Sequence, residues 1–285
     1  MTSSAIRLQF REHEQMDQSA QGGAHLKTAL ALWGLGLCGA VLILPYIAAL
    51  TPRVFEAAAS RTHLAVWKIL TLSVVQSAVL LAVAVSSGLW AARKLGLGAP
   101  LLTAYFSGSP APDAARRTLL LAVAVGAITG LVLLAMDGFV FAAFPSIAAF
   151  LSTAQSAAGH PKAWQGFLAS YYGAFDEEIL MRLGLLSLLA LAFRALSRPV
   201  GVNRDARLPA AIFWAANIAT ALVFGLGHLP ATAAIAPLTA AIIVRAIVLN
   251  GTAGLVFGVL YRRYGLEWAM ASHFAADLVL HVLVG

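Results

Sequence analysis

From Thr28 to Leu50 the chain carries no charged side chain. That stretch exceeds the roughly 20 apolar residues a helix needs to cross a bilayer. Similar runs recur to the end of the chain. Hydropathy and breakers place helices at 28–50, 64–92, 118–144, 166–193, 209–229, 231–249, 251–263 and 266–284. The expected fold is therefore all-α, a polytopic bundle of about eight membrane helices. Asn250-Gly251 and Gly265 are read as the breaks between the last three segments. Only the seventh segment is too short to span comfortably.

The charged residues fit that picture. They make up 11% of the chain, against about 25% in a soluble domain. A net charge of +7 would suggest nucleic acid if the protein were soluble. Here the Lys and Arg sit mostly in short connections, where they set topology and meet anionic headgroups, so no nucleic-acid partner is expected. Cys38 stands alone, which excludes an intrachain disulfide and a cysteine metal cluster. Residues 1–27 carry both signs of charge and lack the basic-then-apolar build of a signal peptide. They read as a solvated, disordered N-terminal tail, followed by one transmembrane domain over 28–285.

Basic residues orient the bundle. With eight crossings, one side receives the tail and the connections around 93–117 (Arg93, Lys94, Arg116, Arg117) and 194–208 (Arg194, Arg198, Arg204, Arg207). The other receives Arg53, Arg61, Lys162, Arg262 and Arg263. The positive-inside rule makes the first side cytoplasmic, with the N-terminus, and leaves Arg262-Arg263 on the disfavoured side.

Ionisable groups within the membrane are costly, so they pair or work. Lys68 and Arg245 lie near helix ends and are expected to snorkel to the surface. Asp137 is expected to bond a neighbouring helix. A denser group remains: Asp176, Glu177, Glu178 and Arg182 on the fourth helix, Phe224 and His228 at the end of the fifth, and His273, Asp277 and His281 on the last. Glu178 and Arg182, four apart, form a self-neutralising pair. Glu177, turned about 100° from Glu178, is free to face elsewhere. At about 1.5 Å per residue, Glu177 lies on the order of 16 Å in from Gly166 and His273 about 10 Å in from Leu266. His228 approaches the same depth, and eight crossings give the best match.

A carboxylate and two imidazoles in a dry pocket can bind and deprotonate a water. Two His with Asp or Glu can also hold a catalytic zinc. The residue types leave both open: zinc through Glu177, His228, His273 and Asp277, or a metal-free glutamate mechanism.

The order Glu177-Glu178-x-x-x-Arg182, Phe224-x-x-x-His228, His273-x-x-x-Asp277 resembles the three motifs of the CAAX-prenyl endopeptidase and bacteriocin-processing family of intramembrane proteases. The resemblance covers about 165–285. It implies an endopeptidase acting on a membrane-associated protein or peptide. Glu177 would be the catalytic glutamate and His228 its partner in activating water. His273 and Asp277 would stabilise the oxyanion or ligate a metal, and Arg182 would hold Glu178. The last position, often Asn in prenyl-processing members, is Asp277 here, and an ionised carboxylate cannot donate to an oxyanion. Motifs of other intramembrane proteases, such as His-Glu-x-x-His and Gly-x-Ser-Gly, are absent. The alternatives are a non-catalytic membrane scaffold or immunity protein of the same fold, and a proton-coupled transporter.

Overall fold

The computed structural model describes residues 3–111, 114–149, 152, 159–197, 208–235 and 237–283, with side chains from Gly22 onward. No strand occurs among them. Six helices are long and apolar enough to cross a membrane: α1 (Gly22–Leu50), α2 (Val66–Leu95), α3 (Ala115–Ala143), α4 (Ala163–Leu196), α5 (Ala210–Ala233) and α6 (Ala240–Arg263). A shorter α7 (Leu266–Leu278) is prolonged by a π turn at Val279–Leu283. The protein is an all-α integral membrane bundle, and this count is compatible with about eight. Its outer faces are apolar: Leu72, Val75, Val79 and Val83 project from α2, and Leu120, Ile128 and Leu131 from α3. Such a surface suits lipid and would be a liability in water.

All seven helices contribute to the core, α3 through Leu133. Leu32, Leu81, Leu183, Phe213, Phe257 and Leu266 are each buried in it. Where helices approach closely, the residues are small. A Cβ on Gly126 would collide with the backbone of Ser272, and one on Gly130 would lie 2.9 Å from the Ala276 carbonyl oxygen. This small-x-x-x-small step lets α3 lie directly against α7, the usual route to tight packing where no hydrophobic effect drives association.

Hydrogen bonds between helix ends define two faces. On one, Leu266 N–H donates to the Gly98 carbonyl, Leu102 N–H to Glu267, Trp268 to Thr118, Arg262 to the Leu208 carbonyl and Arg194 to the Lys94 carbonyl. The ends of α2, α4 and α6 thus meet the starts of α3, α5 and α7. On the opposite face, Gly159 N–H donates to the Leu50 carbonyl, Gln165 to the Pro45 carbonyl, Tyr46 meets His281, and Arg245 pairs with Asp137.

Three sequence expectations change. The segments 231–249 and 251–263 are not separated at Asn250-Gly251; α6 runs straight through. Asn250 donates its amide to the Ala246 carbonyl one turn back, and Gly251, Gly254 and Gly258 face α5 at Ala221 and Asn217. In lipid a glycine that admits a neighbouring helix is no breaker, because the backbone has no water to turn to. The break falls earlier, at Pro237, and Thr239 caps the new helix by accepting from Ile242 N–H. Second, Arg245 does not snorkel alone: its guanidinium grips Asp137 at 2.6 and 2.5 Å, the bidentate geometry that suits a carboxylate in low dielectric. Asp137 does bond a neighbouring helix, as expected. Third, the helix of α1 extends back to Ser3 where a disordered tail was expected. Residues 3–21 hold neither Gly nor Pro, so nothing in the local sequence stops the helix. Arg198, Arg204 and Arg207 lie outside the described residues.

Candidate active site

α4 is not a regular α-helix in its middle. It widens into π turns at Gly173–Glu177 and Ile179–Leu186, a feature found mostly at functional sites. Three successive acids leave it in three directions. Asp176 is buried against Gly39 of α1, Glu177 faces a cavity, and Glu178 points into the core.

Glu178 and Arg182 are almost wholly enclosed and 3.0 Å apart. Arg182 also donates to the Gly254 carbonyl at 3.3 Å and lies over the rings of Phe224 and Phe257. Glu178 does more than the self-neutralising pair expected from its spacing. The same Oε1 accepts a 2.7 Å hydrogen bond from His273 Nδ1. His273 is further fixed by Phe257, stacked at 4.6 Å between ring centroids. Sequence reasoning missed Phe257. The only signal was an aromatic on α6 among small residues, at Gly254-x-x-Phe257-Gly258.

His228 caps the main run of α5. Its Nδ1 lies 2.8 Å from the Phe224 carbonyl, and a carbonyl only accepts, so Nδ1 carries a proton. Phe224 meets the imidazole edge-to-face at 4.8 Å, the contact expected from their four-residue spacing. The tautomer leaves Nε2 turned toward Glu177, 3.9 Å from Oε1. Nε2 of His273 approaches the other Glu177 oxygen at 3.6 Å. Both gaps exceed a direct hydrogen bond and suit an intervening water.

Asp277 Oδ1 lies 3.7 Å from His273 Nε2 and 3.9 Å from His281 Nε2. His281 in turn meets the Tyr46 hydroxyl at 3.3 Å. Gly173 makes room for this group, since a Cβ there would strike the Asp277 carboxylate and lie 3.0 Å from His273 Nε2. All four residues expected to act together, Glu177, His228, His273 and Asp277, line one cavity of about 670 Å³. The supporting residues Glu178, Arg182 and Phe224 pack directly behind or beside them.

The convergence does not depend on eight crossings. α7 enters from the face opposite to α4, yet His273 still meets Glu177. Both lie near the middle of the bundle, where the direction of entry makes little difference to depth. Among the described residues no group of three His, Cys, Asp or Glu side chains is arranged to hold a metal ion.

No curated protein and no solved structure matches the chain. A family model, type II CAAX prenyl endopeptidase Rce1-like, matches residues 158–279. That interval holds the widened part of α4, the histidine end of α5 and α7 up to its π turn, so the resemblance carried by the three motifs is borne out. Over residues 158–279, which hold Glu177, His228, His273 and Asp277, the chain is thus similar to the type II CAAX prenyl endopeptidase Rce1-like family.

Proposed function

We propose that the protein is an intramembrane endopeptidase that hydrolyses a peptide bond of a membrane-associated protein or peptide, with Glu177 as general base. One observation carries this reading: the Glu177 carboxylate stands between two imidazole Nε2 atoms, at 3.9 and 3.6 Å, each ring anchored through its other nitrogen. A water accepted into that space donates one proton to Glu177, while the lone pair of His228 Nε2 orients it. The water oxygen attacks the scissile carbonyl carbon as its proton moves to Glu177, and the carbonyl π electrons move to oxygen. A proton shared between His273 Nε2 and Asp277 supplies the donor to the resulting oxyanion, a role that an ionised Asp277 alone cannot fill. Collapse of the tetrahedral intermediate expels the amine, which takes the proton from Glu177. Arg182 touches none of the reacting atoms. It holds Glu178, which holds His273.

The test is cleavage of a quenched membrane-peptide panel by purified protein, for wild type, Glu177→Gln and His228→Ala. Loss of a general base costs about 10²- to 10⁴-fold. We expect a loss of that size in Glu177→Gln with an unchanged melting temperature, and wild-type cleavage that survives chelation. Full activity in Glu177→Gln would sink the assignment, and activity abolished by chelator would replace it with a metal mechanism.

A further inference from the structure

The cavity and the charge of the bundle are not distributed evenly across the membrane. The cavity runs from the middle of the bundle, where Phe257 and His273 line it, out toward one face. Tyr46 and Leu50 come from the end of α1, Ser73 from the first turns of α2, His228 and Ala231 from the end of α5, and His281 from the end of α7. All of these lie toward the face where Gly159 meets Leu50 and Arg245 meets Asp137. No residue that ties the other face together lines the cavity. There the way to Glu177 is closed by the start of α7, with Leu266 and Trp268 buried and Trp268 bonded to Thr118.

Continuity of α6 changes the charge reckoning. Because one helix covers 240–263, Arg262 and Arg263 emerge on the closed face. They join Arg93 and Lys94 from α2, Arg116 and Arg117 from α3, and Arg194 from α4. The sequence adds Arg198, Arg204 and Arg207 to the same α4–α5 connection. The face on the cavity's side has Arg53, Arg61, Lys68, Lys162 and Arg245, the last engaged with Asp137. The pair that stood against the positive-inside rule now supports it. Lys and Arg near helix ends are retained on the cytoplasmic side, so the closed, basic face is cytoplasmic.

We propose that the cavity opens to the extracytoplasmic half of the membrane, and that the substrate is a membrane-tethered polypeptide presenting an extended apolar stretch from that side. The apolar character follows from the lining around Glu177, where Ile43, Ile47, Leu50, Val74 and Leu133 leave few groups to pair with a polar side chain. The substrate class rests on the protease reading; the orientation rests on charge and connectivity alone.

Two measurements separate these. In a Cys38→Ser background, one variant carries Ser60→Cys, exposed beside α1 and α2 on the cavity's face, and another Ser109→Cys, exposed between α2 and α3 on the basic face. A membrane-impermeant maleimide applied to intact spheroplasts should label Ser60→Cys fully and Ser109→Cys only after lysis. The reverse pattern overturns the proposal whatever the enzyme does. A membrane-impermeant quenched peptide with a central apolar run is then added to sealed vesicles, with Glu177→Ala as the blank. Cleavage in right-side-out vesicles, lost in inside-out ones, is the expected result. Cleavage confined to inside-out vesicles overturns it. Labelling as expected with cleavage in neither vesicle type would overturn the substrate class, and with it the protease reading, while the orientation stood.

Discussion

Glu178 Oε1 accepts from His273 and pairs with Arg182 Nη1 at 3.0 Å, so one buried oxygen couples a structural cation to a site imidazole. Removing Arg182 leaves Glu178 enclosed without its counter-charge, which typically costs about 3–5 kcal/mol. We therefore expect Arg182→Met to lower the melting temperature sharply in detergent. The double variant Glu178→Gln/Arg182→Met should recover much of that loss, since no uncompensated charge remains. A double variant no more stable than Arg182→Met would show that the pair is not coupled. Gly173 offers a complementary probe, because its missing Cβ leaves the space that the Asp277 carboxylate fills. Gly173→Ala should abolish cleavage of the peptide panel while costing about 1–3 kcal/mol of stability, the usual penalty for overpacking. Much at this scale was legible in the sequence. Glu178 with Arg182, Phe224 with His228 and His273 with Asp277 are pairs four apart on helices, and local spacing fixes such neighbours. Contacts between helices were hidden. Nothing in the spacing of α4 and α7 states that Glu178 reaches His273, and Phe257 reads as one more core aromatic until its ring is seen on the imidazole.

At the scale of elements, the clearest misreading concerned glycine and asparagine in α6. Rules drawn from water treat Asn-Gly as a turn. In a bundle, the same residues mark where α5 comes closest, and the true boundary was written in Pro237 and Thr239 instead. A second inter-element device is the Asp137–Arg245 grip, which joins the π turn at the end of α3 (Met136–Val140) to the first turns of α6. Both groups are only partly enclosed, so a charge-assisted pair of this kind contributes about 1.5–3 kcal/mol. Asp137→Asn should destabilise by an amount in that range, measured by thermal unfolding. Exchanging the charges, Asp137→Arg with Arg245→Asp, should restore part of it. Close packing of α3 on α7 gives a third lever. Gly126→Leu would drive a side chain into the Ser272 backbone, and we expect it to reduce folded yield more than Gly138→Leu, since a Cβ at Gly138 meets nothing within 4 Å.

For the whole molecule, the bonds at the two faces show α7 starting beside Gly98 and ending beside Tyr46, so the helices from Gly22 to Leu283 pass between the two faces an odd number of times. A reporter joined before Gly22 and one joined after Leu283 should report opposite compartments; the same compartment for both would contradict the observed path. Helical class and membrane residence were readable from hydropathy because lipid allows few alternatives. The number of crossings was not, since it turns on whether one Asn-Gly step interrupts a helix. The widened middle of α4 bears on how such chains are compared. Consecutive acids at 176, 177 and 178 leave the helix about 100° apart and serve three different neighbours, and the widened turns set which way each direction falls. Its message lies in a residue count as much as in residue types. A single deletion within Gly173–Phe175, ahead of the motif, would leave every motif letter and its spacing in place and turn Glu177, Glu178 and Arg182 by about 100° relative to the first part of the helix. A relative that had lost that one residue would still score as kin by its motifs while having no assembled centre.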